Sequence, residues 1–309
     1  MNSILDDFKN AFRRPDNGVV QLIIVNLIIF LLINLVRVIL IISQAGESFN
    51  GVFLRQLALP APIVAFLFRP WTLITYFFTH EGFWHILWNM LFLYWFGNIL
   101  KEYLSNRRFV NVYVLGGIAG GLLYLLIYNV VPYFVQNQPA LGLIGASGSV
   151  YAVVVAAATL IPNYTFNLIL IGPVRIIYIA TFFLVSSLLF SGGGGIAGAN
   201  AGGNIAHLGG ALMGFLFIQQ LNRGRDLGRP LTNFFNWFNG LFNRKPRLRV
   251  THSGKRPATR TAGGRHAGST SGRPDQAEID AILDKISHSG YESLSKEEKQ
   301  KLFSASQRD

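Results

Sequence analysis

The chain has 309 residues, of which 51% are hydrophobic and only 14% charged, and it carries a net charge of +12. With a mean hydropathy of +0.37, it has too few charges for a soluble domain, where about a quarter of residues are charged, so the apolar excess is expected to face lipid. There is no cysteine, which excludes disulfides and thiolate chemistry.

The opening stretch, MNSILDDFKN, lacks the basic region, apolar core and small-residue cleavage site of a signal peptide, and its aspartates argue against a mitochondrial presequence. The first apolar run is therefore expected to stay attached. A membrane-crossing helix needs about 20 mostly apolar residues, and six runs approach this: 19–43, 83–100, 109–131, 145–161, 174–190 and 201–221. The second, fourth and fifth are short. Lys9, Arg13, Arg14, Lys101, Arg107, Arg108, Arg175, Arg223 and Arg225 fall on one side of this arrangement, and only Arg55 and Arg69 on the other. Positive residues favour the cytoplasmic side, so both ends of the chain are expected there. The expected fold class is an all-α polytopic membrane protein of six transmembrane helices.

The second, fourth and sixth runs then enter from the outside, which brings His85, Ser147 and His207 to a similar depth. Each could be an isolated polar residue satisfied by a neighbouring helix; together, inside spans, they suggest function. In GASGSVYA, from Gly145, small residues at Gly145, Ala146 and Gly148 permit close packing, and Tyr151 shares a helix face with Ser147. A serine needs an adjacent base to act as a nucleophile. No carboxylate occurs between Glu102 and Asp226, so histidine is the available base and an acidic third member is missing. His207 lies above Gly210 and Gly214 on its own face, a stripe suited to close contact with the serine helix. The expectation is a Ser147–His207 dyad, with Tyr151 stacked on the imidazole. His85 and Asn89, four residues apart, can donate to a developing oxyanion. Zinc chemistry would need His-Glu-x-x-His, whereas His80, Glu81 and His85 are spaced otherwise. Neither a metal nor a cofactor is expected, and the spans lack the carboxylates an aspartyl protease requires.

Over residues 19–222 these motifs resemble the rhomboid intramembrane serine proteases: Gly-x-Ser-Gly at 145–148 with Tyr151, His-x-x-x-Asn at His85 and Asn89, and Asn204, His207, Gly210 and Gly214 in the last run. The resemblance implies Ser147 as nucleophile and His207 as base. It implies an oxyanion hole of His85, Asn89 and the Ser147 N–H, and His80 matches a recurrent family histidine. The family's Trp-Arg in the first outer loop is here Trp71-Thr72, with Arg69 as a candidate substitute. The implied substrates are single-pass membrane proteins cut in or near their transmembrane helices. The segment before the fourth run is expected to dip inward and let water reach Ser147. The glycine-dense loop SGGGGIAGANAGGN acts either as a mobile cap over a tilting fifth helix or as a slack linker. A rhomboid-like chaperone that binds helices without cutting them is the alternative function; a transporter would show internal repeats, and none is evident.

Four regions are expected: a cytoplasmic start (1–18), the six-helix domain (19–222), an interfacial helix with a basic linker (223–274) and a small helical module (275–309). In the third, Phe234, Phe235, Phe238, Leu241 and Phe242 share one helical face and asparagines the other, and Arg244, Lys245, Arg247 and Arg249 follow. This suits the inner leaflet and anionic lipids better than nucleic acid. Residues 251–274 read as disordered. The final module has a breaker at Gly290 and a capping box at 295–298, and looks like an appendage of some Bacteroidetes rhomboids. The expected location is the plasma membrane of a bacterium.

Overall fold

A computed structural model describes residues 17–168, 172–192, 200–242 and 276–306, in two compact units divided between Pro246 and Arg247. The basic residues at 9–14 and 244–249, the expected disorder at 251–274 and the centre of the glycine loop lie outside the described residues.

In the first unit six apolar helices run in sequence: α1 (Gly18–Ile42), α2 (Phe83–Tyr103), α3 (Asn106–Val130), α4 (Ser147–Leu160), α5 (Ile176–Leu189) and α6 (Ala201–Asn222). By length and composition α1, α3 and α6 can cross a membrane; α4 and α5, with 14 residues each, are shorter apolar helices. Small side chains decide which helix is central. In α4 every residue from Gly148 to Ala158 except Tyr151 is buried, and α2, α3, α5 and α6 all pack around it. The contact with α6 is at backbone distance: a Cβ on Gly210 would overlap the Gly148 carbonyl oxygen, and one on Gly214 that of Ala152. Similarly, a Cβ on Gly117 of α3 would come 2.5 Å from Ser149 Oγ and one on Gly120 would come 2.7 Å from the Ala206 carbonyl oxygen. Between helices in lipid, such close approach supplies the dispersion contacts that the hydrophobic effect supplies in water. By contrast α1 packs mainly on α2 and α3 and leaves Leu31, Leu35 and Ile42 exposed, as a lipid-facing surface requires. Its buried Asn26 bonds the Leu22 carbonyl at 2.8 Å and Tyr113 Oη at 3.1 Å.

Residues 44–82 form a folded connection containing one-turn helices at Ile63–Leu67 and Thr72–Thr75. Side chains close it onto backbone. Arg69 Nη1 donates to the Arg55 carbonyl (2.6 Å), Trp71 Nε1 to that of Gln56 (2.9 Å), and Thr75 Oγ1 to that of Leu57 (2.8 Å). Thr72, where the resemblance leads one to expect arginine, is fully buried and donates to the Arg69 carbonyl at 2.6 Å. Asn129 of α3 clamps the same connection, accepting from the Ile63 N–H and donating to the Ala61 carbonyl. Leu59 and Leu143 exchange backbone hydrogen bonds, which joins the connection to the segment entering α4.

The all-α expectation needs a correction. Between α4 and α5 lies an antiparallel hairpin, β1 (Thr165–Leu168) with β2 (Gly172–Arg175), in register Thr165 with Arg175 and Phe166 with Val174. Val174 and Arg175 belong to this hairpin, so α5 starts at Ile176 and not at 174. Pro162 and Pro173 each interrupt the helical hydrogen-bond pattern, and Gly172 takes a positive φ of 85°. Likewise Gly145 does not begin α4: its φ is +118° and the helix opens at Ser147.

After α6 a turn at Gly224 leads to α7 (Arg229–Phe242), which is anchored where Asn111 Nδ2 of α3 donates to the Gly228 carbonyl and Thr232 Oγ1, both at 3.0 Å. Phe234, Phe235 and Phe238 of α7 are exposed.

The second unit contains α8 (Gln276–Ser289) and α9 (Lys296–Ser306), separated by Gly290 at φ +75°. The Ser295 N–H donates to Glu298 Oε2 (2.7 Å) and the Glu298 N–H to Ser295 Oγ (3.2 Å), a reciprocal capping box. Lys285 also pairs with Glu298, and Lys301 with Glu278.

Candidate active site

Three helix starts and one connection build the site. Gly145 carries the chain into α4 at a φ that a side chain rarely adopts, and a Cβ there would lie 2.6 Å from His85 Nε2. Glycine thus permits both the turn and the approach of the α2 imidazole. The turn is pinned from below: the Gly145 N–H donates to the Tyr76 carbonyl (2.9 Å), and the Ala146 N–H donates to His80 Nε2 (3.3 Å). An accepting Nε2 puts the proton of the buried His80 on Nδ1, which has no hydrogen-bond partner among the described residues. The rings of His80 and His85 meet edge to face at 5.1 Å.

Ser147 is the first residue of α4, where backbone N–H groups have no intrahelical acceptors and the helix dipole is positive. A cavity of about 360 Å³ opens beside it, lined by Ser147, His207, His85, Asn89, Tyr151 and Trp84 among others. The imidazole of His207 stacks on Tyr151 with centroids 4.1 Å apart and planes 11° from parallel. No hydrogen bond joins Ser147 to His207 among the described residues, although both line the cavity; such contacts are commonly looser without substrate. Asn89 Nδ2 donates to the His85 carbonyl at 2.8 Å, which leaves its second amide hydrogen for the cavity. A neighbouring cavity of about 430 Å³ shares His85 and Asn200 with it and is lined by Tyr124, Tyr128 and Tyr133.

The remaining residues singled out by sequence act on these. Gly148, Gly210 and Gly214 form the α4–α6 contact. Asn204 donates to the Phe190 carbonyl (2.9 Å), tying the end of α5 to the start of α6.

Two residues were not found by sequence reasoning. Ser187 of α5, buried, donates to Tyr151 Oη (3.0 Å) and lies 3.1 Å from His207 Nδ1. The signal was a serine pair, Ser186 and Ser187, in an otherwise oily helix. Tyr76, fully buried, donates to the Gly117 carbonyl while its own carbonyl holds Gly145; an apolar-looking TYFF segment gave no hint of it. Among the described residues no three His, Asp or Glu side chains gather in a way that could hold a metal ion.

The pattern of the Rhomboid domain matches residues 68–223, about half of the chain and all of the elements that build this cavity. A second pattern, a family of unknown function (DUF6576), matches residues 273–308. The chain is similar to RHOMBOID-like protein 12, mitochondrial, of Arabidopsis thaliana, 28% identical over 164 residues that cover 50% of this chain and 47% of the plant protein. It is also similar to Rhomboid protein 1, mitochondrial, of Saccharomyces cerevisiae, 30% identical over 52% of this chain and 45% of the yeast protein. A shorter similarity, 33% identity over 33% of this chain and 35% of the relative, links it to Rhomboid-like protein 16, chloroplastic, of Arabidopsis thaliana. The chain thus spans about half the length of the first two curated relatives it matches. It is an intramembrane protein of the rhomboid family.

Proposed function

We propose that the chain is an intramembrane serine endopeptidase. Ser147 attacks the scissile carbonyl, His207 takes the serine proton and returns it to the leaving amine, and His85, Asn89 and the Ser147 N–H stabilise the oxyanion. The observation that carries this reading is the single cavity lined by Ser147, His207, His85 and Asn89. The bond from Ser187 supports it further. With the Ser187 hydrogen on Tyr151, its oxygen accepts Nδ1–H of His207 and leaves Nε2 with a lone pair, the tautomer a base for Ser147 requires. Stacking on Tyr151 holds the ring without the third, acidic member that α3 to α6 lack.

The substrates are transmembrane helices of other membrane proteins, presented in the bilayer. The six helices cross the membrane with both ends of the chain cytoplasmic, the basic tail meeting anionic lipid, and a bacterial plasma membrane is the proposed location. The arginines in the first turn of α3 and after α6 support this orientation.

The test is cleavage of a transmembrane reporter by purified wild type, Ser147→Ala and His207→Ala in detergent. Wild-type cutting with both folded variants silent is the expected result. Undiminished cutting by Ser147→Ala overturns the nucleophile, and helix binding without cutting by wild type favours the chaperone alternative.

A further inference from the structure

At the end of the bundle opposite Ser147, the start of α3 and the α6–α7 turn frame an open hollow of about 650 Å³ lined by Arg107, Arg108, Arg225, Arg229 and Asp226, with Arg107, Arg225 and Arg229 exposed. The one carboxylate is already engaged. Asp226 Oδ2 accepts from Arg108 Nε (3.1 Å) and Oδ1 from the Gly228 N–H (2.9 Å). Arg107, Arg225 and Arg229 have no ion pair among the described residues. Three guanidinium groups without a carboxylate partner around one hollow make its potential positive and favour an anion there.

The chemistry of the lining identifies that anion. Guanidinium forks match the oxygens of a phosphate in bidentate fashion. The N-terminal ends of α3 and α7 add their positive dipole ends, although at α7 the Arg229 N–H already donates to the Asp226 carbonyl (3.2 Å) and Pro230 has none. The source of the phosphate follows from α7. Arg229, Thr232, Asn233 and Asn236, at i, i+3, i+4 and i+7, all line the cavity, so one stripe of the helix is polar and faces it. Phe234, Phe235 and Phe238 are exposed on the opposite stripe, as in a helix bedded in the membrane surface. A cavity on the polar side of such a helix lies at headgroup depth. We propose that it binds the phosphate of an anionic glycerophospholipid, as a defined site and independently of catalysis.

The full chain in detergent is titrated calorimetrically with dihexanoylphosphatidylglycerol, dihexanoylphosphatidylcholine and inorganic phosphate. The glycerol lipid is expected to bind about tenfold or more tightly than either alternative. Replacing Arg107, Arg225 and Arg229 together by glutamine is expected to weaken it about tenfold. Removing the same number of charges from the tail, at Arg244, Lys245 and Arg247, is expected to change it far less. Asp226→Asn deletes the sole negative charge yet keeps an acceptor for Gly228, and is expected to tighten binding several-fold, a gain that misfolding cannot produce. Equal losses from the cavity and tail variants would overturn the site in favour of diffuse attraction. Phosphate binding as tightly as the glycerol lipid would overturn the lipid as its occupant, and so would equal affinity for the choline lipid. An unchanged affinity in Asp226→Asn would overturn the electrostatic argument.

Discussion

Replacing Gly210 by alanine adds one methyl group at the tightest helix contact of the bundle. Its Cβ would overlap the Gly148 carbonyl oxygen and stand 2.7 Å from the Gly148 carbonyl carbon and 3.1 Å from its Cα. Those neighbours are backbone atoms of a helix that four others surround, so no flexible side chain can yield. Overpacking of this kind costs about 1–3 kcal/mol, against which the better helix propensity of alanine returns up to about 1 kcal/mol. The net expectation is a loss of about 1–2 kcal/mol, since neither helix can retreat without opening contacts to α3. The consequence for chemistry is larger. Gly210 lies one turn from His207 on the same face, so a separation of about 1 Å between α4 and α6 moves the proposed base from the proposed nucleophile, and displacement of that size can cost about a hundredfold in rate. Thermal unfolding in detergent and reporter cleavage measure the two effects separately. Gly240→Ala supplies the opposite sign: nothing lies within 4 Å of its added Cβ on the exposed α7, so the same substitution there should hold or raise stability. A Gly210→Ala protein as stable and as active as wild type would refute the claim that backbone contact between α4 and α6 sets the site.

Three further outcomes are expected. Ser187→Ala leaves His207 Nδ1 and Tyr151 Oη without their buried partner, at about 1–3 kcal/mol; cleavage should fall about tenfold with KM nearly unchanged and Ser187→Thr should restore part of it, whereas an equal loss through KM alone would argue against an orienting role. Gly145→Ala forces a side chain into a φ of +118° and to 2.6 Å from His85 Nε2; backbone strain alone costs about 1–3 kcal/mol, and both melting temperature and cleavage should drop. In the second unit, the backbone hydrogen bond from Ser295 and then the Lys285 contact hold the Glu298 carboxyl below its usual range. A depressed carboxylate contributes stability above its unfolded pKa and loses it as pH falls through the folded one. Amide-exchange protection factors in residues 295–306, taken relative to the intrinsic rate at each pH, should therefore fall on acidification below the ordinary glutamate range, and Glu298→Gln should flatten that dependence.

Much of this architecture is legible from local patterns. Long apolar runs become helices because a backbone in lipid must satisfy its own hydrogen bonds, which is why α1, α3 and α6 stand close to where hydropathy alone puts them. Short α4 and α5 are harder to delimit. Hydropathy continues through Val174 and Ile161, but proline and the Gly172 turn end the helices there, and the hairpin leaves no periodic trace in four-residue strands. Within the cavity, His85, Ser147 and His207 stand out because polar groups are costly in an oily helix. Ser187 and Tyr76 escape notice for the same reason in reverse: a hydroxyl in an apolar run is tolerated wherever it can bond a nearby carbonyl, and only the packed fold shows which partner it takes.

By itself, then, the sequence determines which segments are helical, which carry polar groups and which face is small, because propensity, hydropathy and glycine spacing act within a few residues of each other. Tertiary structure alone decides that the Tyr76 carbonyl holds the Gly145 turn, that His80 caps the Ala146 N–H, and that Ser187 bridges Tyr151 and His207. It also gathers Arg107 and Arg108 with Arg225 and Arg229, more than a hundred positions later, around one hollow. These are contacts between segments far apart in the chain, fixed by how small residues let helix backbones approach, and no local pattern encodes which distant group will be waiting there.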